Sequence, residues 1–199
     1  MLRAVAPSSL SVTSQNAAVV TAGGLTMALS GTVFVGTAQA VTSGTSASSW
    51  VPTGVGPSGA STPTIPANYM VPGKTLRLRV MGTLVTAATP GTLNLSLALG
   101  SSTLWSGGPQ TPTASISQLF ALDVVITCQT AGAGGTCSIS GQLAYNTGLI
   151  AGVDALLSIV STGVALNTTV SNLLALTTTN SISGGAVFTI NTFLLESLN

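Results

Sequence analysis

Leu119-Phe120-Ala121-Leu122-Asp123-Val124-Val125-Ile126-Thr127-Cys128-Gln129-Thr130 runs through Ala131-Gly132-Ala133-Gly134-Gly135 into Thr136-Cys137-Ser138-Ile139-Ser140-Gly141-Gln142-Leu143-Ala144-Tyr145. Phe120, Leu122, Val124, Ile126 and Cys128 share one parity, with Asp123, Thr127 and Gln129 on the other. Beyond the small-residue turn, Cys137, Ile139, Leu143 and Tyr145 oppose Ser138, Ser140 and Gln142. Alternation of period two over this length belongs to strands with one buried and one wet face. A tight turn at Gly132-Ala133 would pair Thr130 with Gly135 and Ala131 with Gly134, which sets Cys128 directly opposite Cys137. Both thiols then fall on the apolar face, so register and alternation agree. Directly opposed positions lie about 4.5–5.5 Å apart, within reach of a disulfide. The same geometry also suits two buried thiols acting as small hydrophobes, the form expected of a chain assembled in cytosol. Two Cys in a chain without His do not complete a tetrahedral metal shell.

The pattern extends in both directions. Leu76, Leu78, Val80 and Leu84 alternate with Arg77, Arg79 and Thr83, and Leu93, Leu95, Leu97 and Leu99 alternate with Asn94, Ser96 and Ala98. Phe188, Ile190, Leu194 and Leu198 set an inward parity for the last strand, and Leu25, Met27, Leu29, Val33 and Val35 repeat the motif near the N-terminus. Turn residues separate these runs: Val71-Pro72-Gly73, Thr89-Pro90-Gly91 and Ser183-Gly184-Gly185. Many short strands without intervening helices argue an all-β antiparallel sandwich or barrel. Two regions break the period. Thr42–Thr64 is rich in Ser, Gly, Pro and Thr and reads as a linker. Leu149–Val160 carries apolar residues at helical spacing, but its Ser/Thr-rich surroundings favour a strand.

Composition narrows the function. Of 199 residues only seven are charged, four basic and three acidic, and none is His. Such a chain lacks a basic nucleic-acid footprint and the side chains of most acid–base active sites. Ser and Thr number 55 and Gly 23, while mean hydropathy is +0.65. Disorder requires the opposite balance. No apolar run reaches the length of a membrane span. Ala38-Gln39-Ala40 has the form of a signal-cleavage site, but the polar stretch Ser8–Asn16 precedes it where an apolar core should begin. The composition describes a folded, neutral, hydroxyl-coated structural or binding protein with no cofactor and no metal.

Other motifs dissolve on inspection. Gly54-Val55-Gly56-Pro57-Ser58-Gly59 matches a dinucleotide fingerprint but sits in linker sequence, without the strand and helix that such a site needs. Asn94-Leu95-Ser96 and Asn167-Thr168-Thr169 are sequons in form only. Lys74, Arg77 and Arg79 hold three of the four basic residues. They either protect an exposed strand from edge pairing or contact an acidic neighbour on a partner. Val187, Phe193 and Leu195 fall on the outward parity of the last strand, where three apolar residues call for a cover such as an oligomer interface.

Ile65-Pro66-Ala67-Asn68-Tyr69-Met70 with Gly73-Lys74-Thr75-Leu76-Arg77-Leu78-Arg79, and Pro90-Gly91-Thr92-Leu93 running to Leu99-Gly100-Ser101, resemble a family of tailed-bacteriophage virion proteins. The Leu122–Cys128 strand, its Gly-rich turn and the closing Phe193-Leu194-Leu195-Glu196-Ser197-Leu198 fit as well. The resemblance implies a jelly-roll sandwich over residues 64–199; residues 1–63, an N-terminal arm and linker, lie outside the match, a departure that suggests an arm anchoring to a partner. It implies a virion location, most often as a head decoration (cement) protein, otherwise as a head-fibre or tail-tip component. Its partners would be the major capsid protein and further copies of itself, as a homotrimer or homodimer. Phe120 stands where the family pattern leads one to expect Trp. A different class, the carbohydrate-binding jelly roll, would need aromatic platforms drawn from Trp50, Trp105, Tyr69 and Tyr145.

Overall fold

The structure, a computed structural model, describes residues 19–22, 25–28, 31–36, 38–52, 54–55, 62–146 and 154–199. All regular structure among them is β. A hairpin of β1 (Val19–Ala22) and β2 (Leu25–Ala28) is followed by five short strands, β3 (Gly31–Gly36), β4 (Gln39–Thr42), β5 (Ser48–Ser49), β6 (Gly54–Val55) and β7 (Thr64–Ile65). Eight longer strands complete the chain: β8 (Thr75–Thr86), β9 (Leu93–Leu99), β10 (Ser102–Gln110), β11 (Ser117–Thr130), β12 (Thr136–Asn146), β13 (Asp154–Ala165), β14 (Asn172–Asn180) and β15 (Ala186–Ser197).

The strands form two antiparallel sheets besides the β1–β2 hairpin. The larger runs β13-β12-β11-β8-β15-β3-β6, with β4 also on β15. The smaller runs β10-β9-β14-β5, with β7 also on β14. Alternation explains both. Leu76, Leu78, Val80 and Leu84 of β8 and Leu122, Val124 and Ile126 of β11 point into one core with Leu93, Leu95, Leu97 and Leu99 of β9. Two sheets sharing a single apolar core make a β-sandwich. Along one side the sheets come together, where Leu157 of β13 lies against Gly107 of β10.

Three expectations change in the folded chain. The last strand shifts phase at a bulge between Ile190 and Thr192. Phe193 and Leu195, expected outward, are therefore core residues at 1% and 0% exposure, while Leu198 is exposed and Leu194 half-buried. Gly82 admits the bulge, since a Cβ there would lie 1.9 Å from the Thr189 carbonyl oxygen. The stretch expected as linker delivers Trp50 into the core, fully buried against Phe120 and Phe188 at ring-centroid distances of 5.2 and 4.3 Å. Its backbone N–H donates to Leu176 of β14 at 2.8 Å. Thirdly, β3 and β4, expected to lie at least in part against a partner, ladder onto β15 of their own chain. Phe34 packs edge-on against Phe193.

Ser43 ties this N-terminal segment down. Its hydroxyl donates to the Ala186 carbonyl at 2.8 Å and accepts from Asn180 Nδ2 at 2.9 Å and from the Ala186 N–H at 3.1 Å. Leu10 and Val12, also read as part of the arm, lie outside the described residues.

The hairpin expectation holds at its centre. Cys128 and Cys137 are directly opposed, although a bulge pairs Thr130 with Thr136 and widens the turn to residues 131–135. Residues 154–165 are strand, as their context suggested; Leu149 lies outside the described residues.

Candidate functional site

The outer face of the large sheet gathers most of the side chains with something left to offer. It is built by the outward parity of β13, β12, β11, β8 and β15, and register fixes who meets whom. Arg77 of β8 lies between Val125 of β11 and Glu196 of β15. Arg79 lies between Asp123 and Leu194, and Met81 between Ala121 and Thr192. Ala121 faces Ala144, which faces Leu156 at the sheet margin. The face thus has a charged end and an apolar end.

At the charged end Arg77 grips Asp123 with both arms of the guanidinium. Nε donates to Oδ1 at 2.8 Å, and Nη2 donates to Oδ2. Arg79 Nε stands 3.6 Å from the same carboxylate. The hydrogen bond from Arg77 holds the Asp123 carboxyl below the usual carboxylate range, and the same bond raises the Arg77 guanidinium. The acidic neighbour anticipated for the basic cluster is thus on the same chain. Nor does β8 need protection from edge pairing, because it lies inside the sheet between β11 and β15. Lys74 leaves the cluster altogether: its Nζ sits 4.9 Å from the Tyr69 ring centre and donates to the Asn199 carbonyl.

At the apolar end a shallow depression of about 400 Å³ is lined by Met81, Leu119, Ala121, Ala144 and Tyr145, among others. Leu119 is 70% exposed, and Leu156 and Val160 are 61% and 66% exposed. Val187, the one member of its expected trio that does face outward, is half-buried beside Val85. The substitutes for Phe193 and Leu195 were legible: Met81 shares the parity of Arg77 and Arg79, and Leu119 that of Asp123.

The remaining candidates are structural. Cys128 and Cys137 are buried free thiols. Burial pushes Cys137 up to about 11, with the neighbouring Cys128 adding to the effect, and burial raises Cys128 too. Thiols so held are inert as nucleophiles. Asn167 of the second sequon caps its own turn, its Oδ1 accepting from the Thr169 N–H at 3.0 Å and hydroxyl at 2.7 Å. Gly54 and Val55 form β6, and the rest of the glycine motif lies outside the described residues. Among the described residues no cluster of three His, Cys, Asp or Glu is placed to hold a metal. The chemistry that the face offers is apolar and hydroxyl contact beside the Arg77–Asp123 ion pair.

Comparison with protein-family models, with curated proteins and with solved structures finds no match to this chain.

Proposed function

We propose that the protein is a non-enzymatic structural component of a tailed-phage virion, a decoration protein that binds the assembled head and stabilises it. The observation that carries this reading is the outer face of the large sheet. Its exposed apolar side chains want a cover, and its best-placed charges, Arg77 and Asp123, already pair within the chain, so docking it leaves that pair intact. A protein binding only the assembled shell stabilises that state by mass action, multiplied over many copies.

Part of the strand pairing supports the jelly-roll reading. Numbering only the eight long strands, first pairs with eighth, second with seventh and fourth with fifth. These are nested pairs of a rolled-up ribbon, the arrangement behind a jelly roll. The long first–fourth ladder joins two of those pairs into one sheet, so the proposed jelly roll is of an unusual partition. At Phe120, where the family pattern expects Trp, Trp50 stacks from the N-terminal segment. The carbohydrate-binding alternative loses Trp50 as a platform, because it is fully buried.

The test is the copy number of this chain in purified virions, by quantitative mass spectrometry. A value on the order of hundreds per particle fits a shell lattice, and about six to a few dozen fits a tail tip or fibre. Absence from the particle would remove the virion reading.

A further inference from the structure

The geometry points to β13 as a self-pairing edge: we propose that two copies of this chain join β13 to β13, antiparallel about a twofold axis through Ser158, into one continuous sheet. This inference is independent of where the protein resides. Among the described residues β13 ladders with β12 on one side and with no strand on the other, where β10 of the small sheet approaches its inward side chain Leu157 without pairing and Leu156 and Val160 stay exposed on the outer face. An unpaired edge of this length presents a row of free N–H and C=O groups, which proteins normally blunt with charge, Pro or a bulge. Residues 155–161, Ala-Leu-Leu-Ser-Ile-Val-Ser, contain neither charge nor Pro. The irregularity comes only after them, where the register slips beyond Ser161 and Gly163 takes φ +66°.

The regular edge therefore has a centre, and the centre selects the register. With Ser158 opposite its own copy, Ala155 meets Ser161, Leu156 meets Val160 and Leu157 meets Ile159, each with a residue of the same parity. The two most exposed apolar residues of the strand, Leu156 and Val160, thereby cover each other twice, once on each side of the axis. A charge-free stretch opposes no like charges. A twofold needs one self-complementary patch, and this strand supplies it. A seven-residue edge about 23 Å long, on a wall of two sheets about 10 Å apart with a layer of side chains outside each, buries roughly 500 Å² per copy. That is close to the lower bound of about 1,000 Å² total for a specific interface, so the dimer should be reversible, with a Kd of about 1–100 μM.

Sedimentation of the full-length chain across this concentration range should show a monomer–dimer equilibrium. Leu156→Lys with Val160→Lys sets Lys against Lys at every contact and should weaken association at least about tenfold. Leu156→Glu with Val160→Lys sets Glu against Lys in this register and should restore the dimer. Both positions face solvent in the monomer, and circular dichroism verifies that each variant is folded. Ser158→Cys should give a disulfide-linked dimer on mild oxidation, since axial residues come within reach and the native thiols are buried. A chain that stays monomeric to about 100 μM, forms a trimer, or dimerises equally in the Lys/Lys and Glu/Lys variants without Ser158→Cys cross-linking overturns the proposal. That last outcome would move self-association to the apolar depression around Met81 and Leu119.

Discussion

Phe193 and Leu194 are adjacent in sequence and differ in everything the fold cares about. Phe193 is 1% exposed and packs on Phe34, whereas Leu194 faces outward beside Arg79. Phe193→Ala should therefore cost about 3–5 kcal/mol, and Leu194→Ala under about 1 kcal/mol, by urea denaturation. Equal losses would mean that the bulge before Thr192 is misplaced. Asp123 offers a second test. Its folded-state carboxyl is held low by the Arg77 hydrogen bond, so its contribution is complete above the unfolded value of about 3.9. That contribution is lost as pH falls through the depressed folded value. Asp123→Asn should show a small stability deficit at pH 7 that shrinks toward pH 3. The effect is modest because both partners are about a third exposed, at 35% and 33%, and water screens such pairs. A deficit that grows on acidification would contradict the assignment.

Among the elements, the segment from β4 through β5 to Trp50 matters out of proportion to its regular structure. It contributes one large side chain, Trp50, which with Phe120 and Phe188 forms the aromatic centre of the core. Its indole N–H is buried without an acceptor among the described residues. Trp50→Ala should cost about 3–5 kcal/mol. Trp50→Phe keeps an aromatic ring and discards an unsatisfied donor, so it should cost only about 1–2 kcal/mol. Thermal melts of the two variants beside the parent chain check this. If Trp50→Ala unfolds no more easily than Trp50→Phe, the segment is an ornament and the sandwich stands without it. Sequence could not place Trp50, because a lone aromatic among Ser, Gly and Pro has no period to declare its side. The strands on either side of the Cys hairpin could be placed, since each face there repeats four or five times.

For the whole molecule, the scarcity of charge governs association. Only seven of the 199 residues are charged, and Arg77 and Asp123 pair with each other within the chain. Any assembly this chain makes should therefore resist salt, because screening acts on charge pairs and barely on apolar burial or backbone hydrogen bonds. Raising NaCl from about 0.05 to 1 M should leave its oligomer mass unchanged within about twofold in Kd, read by light scattering. Sulfate should if anything strengthen the assembly. Dissociation in NaCl would instead place Arg77 and Arg79 at the contact.

Local alternation by itself determined the all-β class, the inward parity of β8, β9, β11 and β12, and the opposition of Cys128 to Cys137, because strand periodicity is a property of neighbouring residues. Composition likewise determined the neutral, hydroxyl-rich surface. Only tertiary structure decided three other things. It made β8 an interior strand, so that Arg77 finds Asp123 across a ladder rather than on a partner. It inserted the bulge that turned Phe193 and Leu195 inward, a phase slip that becomes visible only when a neighbouring strand holds the register. It also drew Ser43 and Trp50 into the sandwich. The physical reason is common to all three: these outcomes depend on contacts between residues far apart in the chain, and no local pattern encodes which distant surface will be there to receive them.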